Sequence, residues 1–207
     1  MDILKNSWGS FSKKAAKKYL NGFGGGSENS IKIISEIIKG IGSKINIIEL
    51  GCGNGQFIKK LIKLDVDAHF TGIDFSDSLL DAAIKALPNC VFINDDVIKL
   101  NKVNTNFKIG IYSHVLEMLE SPSESLLNAS KICNIIIIRF FEPPNFNIDS
   151  VEIQEMTVDD VKKIKAPYLR RKISKNYYNF ILNEIKCKKV EKYLDEYSKD
   201  EIHVLFF

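Results

Sequence analysis

Apolar and polar positions alternate along the chain in blocks that predict a series of strands and helices. Five short apolar runs suited to buried parallel strands occupy residues 45–50, 68–73, 90–93, 109–113 and 134–139. Between them, apolar residues recur every three or four positions, which is typical of amphipathic helices. Such helices are predicted over residues 27–39, 56–64, 76–86 and 121–131. Strands that alternate with helices predict a parallel sheet covered on both faces.

The two ends of the chain add further elements to this series. Residues 8–20 show the pattern of an amphipathic helix, and the glycine run at 24–26 ends it. After the fifth strand the pattern is less regular until the apolar run at 202–206, which predicts a last strand. No internal repeat is visible.

Composition and charge narrow the class of protein. A chain of 207 residues, 45% of them hydrophobic, is long enough to bury a core without metals or disulfides. A net charge of +3 indicates neither a nucleic-acid nor a membrane partner. The four cysteines are far apart and form no C-x-x-C pair, which predicts reduced thiols. Without a secretory signal or a membrane-length apolar run, we expect a cytoplasmic location.

The first candidate site is the glycine loop between the first strand and the helix that follows it. Glycines at 51, 53 and 55 permit positive φ angles and let a ligand approach bare backbone. The G-x-G-x-G spacing differs from the G-x-G-x-x-G pattern of nicotinamide-binding folds. The preceding Glu49 would repel a pyrophosphate and would suit an ammonium group instead. The loop therefore favours an adenosine that carries a cationic tail.

Two further acids follow the second and third strands. Asp74 is placed to accept hydrogen bonds from both hydroxyls of a ribose. Asp96 can accept the exocyclic amine of adenine, while the backbone N–H of Val97 reaches a ring nitrogen. Each acid alone could simply cap the next helix. Acids after three successive strands, however, indicate an adenosine site.

These segments resemble the class I S-adenosylmethionine-dependent methyltransferases over roughly residues 40–140. Residues 49–55 are similar to the first motif of that family, 72–76 to its ribose-binding segment, and 96–100 to its adenine-contacting segment. Residues 106–117 resemble the fourth-strand motif, except that Lys108 stands where relatives often carry an acid.

The resemblance implies an α/β fold, with a doubly wound, Rossmann-like, mostly parallel seven-stranded sheet and helices on both faces. The last strand would be antiparallel and would enter between strands five and six. We expect a single methyltransferase domain over 1–207, with amino-terminal helices or a lid at 1–40, the cofactor-binding core at 41–140, and a substrate-side segment with the last strands at 141–207.

The implied cofactor is S-adenosyl-L-methionine, and no metal is expected. The residues predicted to bind the cofactor are Glu49, Gly51, Cys52, Gly53, Gly55, Asp74, Phe75, Asp96, Val97 and Ser113.

The substrate side is predicted from fewer signals. His114 follows the fourth strand and is the candidate general base, whereas Glu117 is expected to face solvent or to cap a helix. A lid after the fifth strand would recognise an anionic small molecule, with a solvated basic helix as the alternative for that segment. The substrate-binding candidates are Tyr19, Tyr168, Arg170 and Arg171. The Glu142-Pro143-Pro144-Asn145 stretch follows the wrong strand for methylation of adenine in DNA or of glutamine.

The function predicted is methyl transfer, by in-line displacement, to an oxygen or nitrogen of a small metabolite, with an anionic metabolite as the working hypothesis. Three alternatives stay open: a methyltransferase of RNA or other nucleic acid, an NAD(P)-dependent oxidoreductase, and a noncatalytic protein that binds S-adenosylmethionine. A nucleic-acid partner is disfavoured and a membrane partner is not expected. The oligomeric state is left open.

Overall fold

The computed structural model describes residues 8–12, 14, 28–159 and 162–207. The strands are β1 (Ile45–Leu50), β2 (Ala68–Asp74), β3 (Val91–Asn94), β4 (Phe107–Ser113), β5 (Cys133–Phe140), β6 (Ser150–Asp159), β7 (Ile164–Lys172), β8 (Lys189–Leu194) and β9 (Glu201–Phe206). The α-helices are α1 (Glu28–Ile41), α2 (Gln56–Lys63), α3 (Asp77–Ala86), α4 (Pro122–Ile132) and α5 (Lys175–Glu184).

Seven of these strands form one sheet in the order β3-β2-β1-β4-β5-β9-β8. Strands β1 to β5 pair in parallel, so their carboxyl ends lie at one edge. Strand β9 is antiparallel to both β5 and β8. The predicted doubly wound sheet, with an antiparallel last strand inserted between the fifth strand and β8, is confirmed.

Both faces of the sheet are covered because its central strands are apolar at nearly every position. In β5, Ile135 and Ile137 pack with α1 and α2 on one face, and Ile136 and Ile138 pack with α4 and α5 on the other. Strands buried on both sides lose the usual alternation of polar and apolar residues. This explains why the continuous apolar runs predicted the parallel strands so closely.

The amino-terminal prediction of an α-helix over 8–20 was wrong for residues 8–12, whereas Lys14 is helical as predicted. Trp8–Ser10 form a single 3-10 turn instead of the start of an α-helix. The backbone N–H of Ser12 donates to the carbonyl of Val158 in β6, and Phe11 packs against the same residue. Contacts with β6 therefore replace the expected helix in 8–12, and most of the rest of 8–20 lies outside the described residues.

The segment after β5 contains strands that the sequence pattern did not predict. β6 and β7 form a separate antiparallel hairpin, so the alternative of a basic helix is wrong over Ile164–Lys172. Cross-strand pairs such as Glu152 with Arg170 place opposite charges side by side, which stabilises the strand pairing. Strand β8 was also missed, because it lies at the sheet edge and buries little of its surface. No helix in the described parts of the chain combines the length and the apolar character that crossing a bilayer requires.

The contact between β4 and β5 requires a glycine at position 110. A Cβ atom placed on Gly110 would lie 2.7 Å from Sγ of the buried Cys133, where the neighbouring strand starts. We expect Gly110→Ala to lower the free energy of unfolding by about 1–3 kcal/mol, the usual cost of overpacking a core. Urea titration followed by circular dichroism measures this change.

A second background provides the control for this prediction. Cys133→Ala removes the sulfur that the new methyl group would meet, so Gly110→Ala should cost less in that background. If Gly110→Ala lowers the free energy of unfolding equally in both backgrounds, the contact with Cys133 is not the reason for glycine at position 110.

Candidate active site

The glycine loop closes tightly over the end of β1. The backbone N–H groups of Gly51 and Cys52 both donate to the carbonyl of Ile73 at 2.8 Å, which joins the loop to β2. Gly51, Gly53 and Gly55 have φ angles of 79°, 51° and 76°. A Cβ on Gly51 would meet Val115 at 2.7 Å, whereas a Cβ on Gly53 would have no atom within 4 Å. Gly53 therefore presents bare backbone to open space.

Asp74 holds this loop in place from the end of β2. Its Oδ2 accepts from the backbone N–H of Gly53 and its Oδ1 accepts from that of Ser76, each at 2.9 Å. Burial raises the pKa of Asp74, and these N–H groups oppose that shift. Each carboxylate oxygen has a further lone pair available for a ligand hydroxyl. The structure thus brings the predicted ribose-binding acid directly to the glycine loop.

Glu49 is a buried carboxyl group at the end of β1, with 3% of its surface exposed. Burial raises its pKa well above the usual value, and the charge of Arg139 opposes that shift. Its Oε2 has no hydrogen-bond partner. Because an unpaired buried polar atom is costly, this oxygen is suited to a ligand group that donates hydrogen bonds.

The acids after β3 differ from each other in their environment. Asp95 is buried, and its two oxygens accept from the backbone N–H groups of Asp96 and Lys102. The side chain of Asp96 is half-buried and caps the next turn by accepting from Ile98. Val97 is buried, and its carbonyl accepts from the Ser125 hydroxyl at 2.7 Å. Asp96 therefore combines the predicted position at the sheet edge with the capping role considered as its alternative.

Phe75 and Ser113 complete the set of predicted cofactor residues at the ends of β2 and β4. Both are half-buried. The carbonyl of Phe75 accepts from the side chain of Asn94, the last residue of β3. Ser113 pairs in register with Arg139 of β5.

His114 lies at the same edge of the sheet, in a left-handed backbone conformation with φ of 57°. Its Nε2 is 3.1 Å from Oδ2 of Asp200 and 3.1 Å from Nε of Arg139, and its Nδ1 is 3.2 Å from Nη2 of Arg139. Burial lowers the pKa of His114, so the imidazole is neutral at neutral pH. The predicted base is therefore in the right protonation state, but both ring nitrogens contact side chains of the protein itself.

The sequence interpretation missed Arg139 and Asp200, which contact His114. Arg139 has 1% of its side chain exposed, lies 3.5 Å from Asp200, and stacks over the ring of Phe57. Asp200 also accepts from the Ser30 hydroxyl at the start of α1. An arginine inside the apolar run Ile135–Phe140 is a signal that could have identified Arg139, whereas nothing local distinguishes Asp200.

Glu117 contradicts the expectation that it faces solvent or caps a helix. Only 2% of its surface is exposed, and its Oε1 accepts from the backbone N–H groups of Phe141 and Glu142 at 2.6 and 3.2 Å. Its Oε2 has no hydrogen-bond partner. Burial raises the pKa of Glu117 to about 7. Its local sequence gives no sign of this, because the two N–H groups come from a segment more than twenty residues later.

Of the predicted substrate residues, the structure places Arg170 next to this edge. Its guanidinium lies 4.2 Å from the ring centre of Phe141, and its Nε is 3.5 Å from Oε2 of Glu142. The Phe141 ring in turn meets His114 edge-on at 5.6 Å. Arg170 is thus connected to the predicted base through one half-exposed aromatic ring.

The other substrate candidates are less directly connected to His114. Arg171 donates to the carbonyl of Glu120, and Tyr168 packs edge-on against Trp8. Tyr19 lies outside the described residues. Over 8–12, 14, 28–159 and 162–207, no group of three or more His, Cys, Asp or Glu side chains is arranged to hold a metal ion.

The raised pKa of Glu117 predicts a specific pH dependence of stability. The folded protein retains this proton up to about pH 7, whereas the unfolded chain releases it near 4.5. The stability contributed by the bound proton is present below pH 4.5 and is lost as the pH rises through 7. Relative to Glu117→Gln, the free energy of unfolding should fall by about 3 kcal/mol between pH 4.5 and 8. Urea titrations of both proteins across this range measure the change. A difference in unfolding free energy between the native protein and Glu117→Gln that does not vary with pH would contradict a raised pKa at Glu117.

Comparison with known proteins identifies the family. A family model described as a methyltransferase domain matches residues 41–189. Demethylmenaquinone methyltransferase from Chlamydia pneumoniae is 30% identical over 98 residues, which are 46% of this chain and 43% of that protein. Trans-aconitate 2-methyltransferase from Yersinia pestis strain Pestoides F is 41% identical over 51 residues, which are 25% of this chain and 20% of that protein. The matched part is thus less than half the length of these curated relatives.

Solved structures share the fold over nearly the whole chain. The S-adenosylmethionine-bound amino pentose methyltransferase CalS10 from Micromonospora echinaspora has a TM-score of 0.69 at 11% identity, covering 95% of this chain and 97% of that one. DesVI from Streptomyces venezuelae has a TM-score of 0.66 at 14% identity, covering 93% and 97%. Because the family model covers more than half of the 207 residues, the protein belongs to the methyltransferase domain family, and the predicted membership of the class I S-adenosylmethionine-dependent methyltransferases is confirmed.

Proposed function

We propose that this chain is an enzyme that binds S-adenosylmethionine and transfers its methyl group to an oxygen or nitrogen of a small metabolite. One observation carries the proposal: Asp74, at the end of β2, holds the loop after β1, whose Gly53 backbone faces open space. The loop lies between β2 and β4, where the strand order reverses and ligands of open α/β sheets bind.

The residues at this edge fit the parts of the cofactor. Within the glycine loop, formed by Gly51, Cys52, Gly53 and Gly55, the open side of Gly53 leaves room for the methionine end, and Glu49 offers its unpaired oxygen to the ammonium. When bound, the cofactor supplies a methyl group activated by a sulfonium.

The adenosine end of the cofactor would be held by the next strands. Asp74 would accept the ribose hydroxyls while it holds Gly53, and Phe75 follows it at the end of β2. Asp96 and Val97 would bind the adenine. Ser113, at the end of β4, completes the predicted set.

The work of the protein in such a transfer is to align the acceptor with the methyl carbon, which can contribute roughly 7–11 kcal/mol to lowering the barrier. Within this proposal His114 stays a candidate for the base, as predicted from the sequence. Its neutral imidazole and the neighbouring Asp200 carboxylate, which favours protonation, support that role, whereas the contacts of its ring nitrogens with Arg139 oppose it.

The acceptor proposed is a small anionic molecule. Arg170, stacked on Phe141 beside His114, provides a positive charge next to the proposed reaction site. The other residues predicted to bind the substrate remain Arg171, Tyr168 and Tyr19. The names of the relatives support a small acceptor, since trans-aconitate is itself a small anion. The relatives favour neither the oxidoreductase nor the nucleic-acid alternative. The cytoplasmic location of the protein stays a prediction.

Removal of the acid that holds the loop tests the cofactor site. We expect Asp74→Ala to weaken the binding of S-adenosylhomocysteine at least tenfold, because hydrogen bonds to a charged group contribute about 1.5–3 kcal/mol. Isothermal titration calorimetry measures the change in Kd.

Asp67→Ala is the matched control for that variant. Asp67 is exposed and immediately precedes β2, at the opposite end of the strand from Asp74. Its loss should leave Kd within twofold of the native value. Native affinity in the Asp74 variant, or an equal loss in the Asp67 variant, would remove the basis of the proposal.

A further inference from the structure

We propose that Glu117 receives the proton that the methyl acceptor loses, so that the acceptor is a hydroxyl or an ammonium group instead of a nucleophile that arrives without a proton. This inference rests on the methyltransferase function proposed above.

The position of Glu117 supports this role. It belongs to the 3-10 turn Leu116–Met118, which follows β4 directly, and β4 ends next to the glycine loop at the edge where the strand order reverses. Two backbone N–H groups just beyond β5 fix its Oε1, so the side chain is held from both neighbouring strands. Its orientation is therefore set before any ligand arrives, which is what a catalytic group requires.

The unpaired Oε2 distinguishes Glu117 from an ordinary structural carboxyl group. This atom is buried and has no hydrogen-bond partner, although the other oxygen of the same group has two. Leaving a buried polar atom without a partner destabilises the folded protein. An acceptor that donates an O–H or N–H hydrogen bond to Oε2 would offset that cost on binding.

His114 is less suited to the same step. Arg139 contacts both ring nitrogens, so accepting a proton at either one would require His114 to give up one of these contacts. Its proximity to the positive charge of Arg139 also opposes protonation. Arg139 and Asp200 thus hold the His114 side chain in place.

The charges around Glu117 come from several elements and are of both signs. Arg139 of β5, Arg170 of β7 and Glu142 after β5 lie near it, and His114 contacts the ring of Phe141, whose backbone N–H donates to Glu117. Burial outweighs the effect of the N–H groups and of Arg170, and it raises the pKa of Glu117 to about 7. A general base is most effective when its pKa is close to the working pH.

Glu117 Oε2 forms a bond to the proton of the acceptor as the O–H or N–H bond breaks. The acceptor's electron pair forms the new bond to the methyl carbon, and the electrons of the broken carbon–sulfur bond remain on sulfur.

Two cofactor analogues test the position of Glu117 without any acceptor. Sinefungin carries a protonated amine at the place where S-adenosylhomocysteine has only its thioether sulfur. An ionised Glu117 at the acceptor position would attract that amine, so the ratio of the two Kd values should favour sinefungin about tenfold more at pH 8 than at pH 6. Calorimetric titrations of the native protein with both compounds measure the ratio.

Matched variants assign the effect to one residue. Glu117→Gln should abolish the dependence of the ratio on pH, whereas Glu124→Gln, which changes an exposed acid at the start of α4, should preserve it. His114→Asn should also preserve it. A ratio that does not change with pH in the native protein, or that changes equally in Glu117→Gln, would overturn the role of Glu117.

A measurement on the native protein covers the case in which Glu117→Gln does not fold. Titrations at pH 7 in buffers of different ionisation enthalpy should show about half a proton more released on binding sinefungin than on binding S-adenosylhomocysteine, since any proton that Glu49 loses to the shared ammonium is the same for both compounds. Equal proton release for both compounds would overturn the inference while leaving the cofactor site intact. Failure of both compounds to bind would overturn the proposed function, and this inference with it.

Discussion

The proposed site depends on the two hydrogen bonds that the Asp74 carboxylate accepts from the backbone N–H groups of Gly53 and Ser76. They join the loop after β1 to the end of β2, so that two neighbouring strands end in one rigid unit. The positive φ angle of Gly53 is a left-handed conformation, which glycine adopts with less strain than other residues. The absence of a side chain also leaves the backbone open on the side where a ligand would lie.

The second constraint on the structure is the burial of charge beside that unit. Arg139 is almost fully buried between the carboxyl groups of Glu49 and Asp200. Such a group is tolerated only when nearby charges and hydrogen bonds replace its hydration. The antiparallel direction of β9 makes this possible, because it brings Asp200, which immediately precedes the strand, to the edge where the parallel strands end. The topology of the last strand is thus coupled to the chemistry of the site.

The sequence predicted the sheet and the cofactor edge much better than the substrate side, for a physical reason. Strands β1, β2, β4 and β5 are short runs of mainly apolar residues, and the glycine spacing is a local pattern, so both are visible in short windows. Strands β6 to β8 are largely exposed and owe their form to pairing with a neighbour. Glu117 likewise depends on N–H groups that approach it only in the folded chain. Long-range contacts of this kind leave no periodic signature.

A crystal structure of the protein with S-adenosylhomocysteine would show directly whether Asp74 and Gly53 form the cofactor site. We expect both ribose hydroxyls within hydrogen-bond distance of the Asp74 carboxylate and the thioether sulfur next to the Gly53 backbone. A ligand bound elsewhere, or bound at this edge with its ribose away from Asp74, would contradict this expectation.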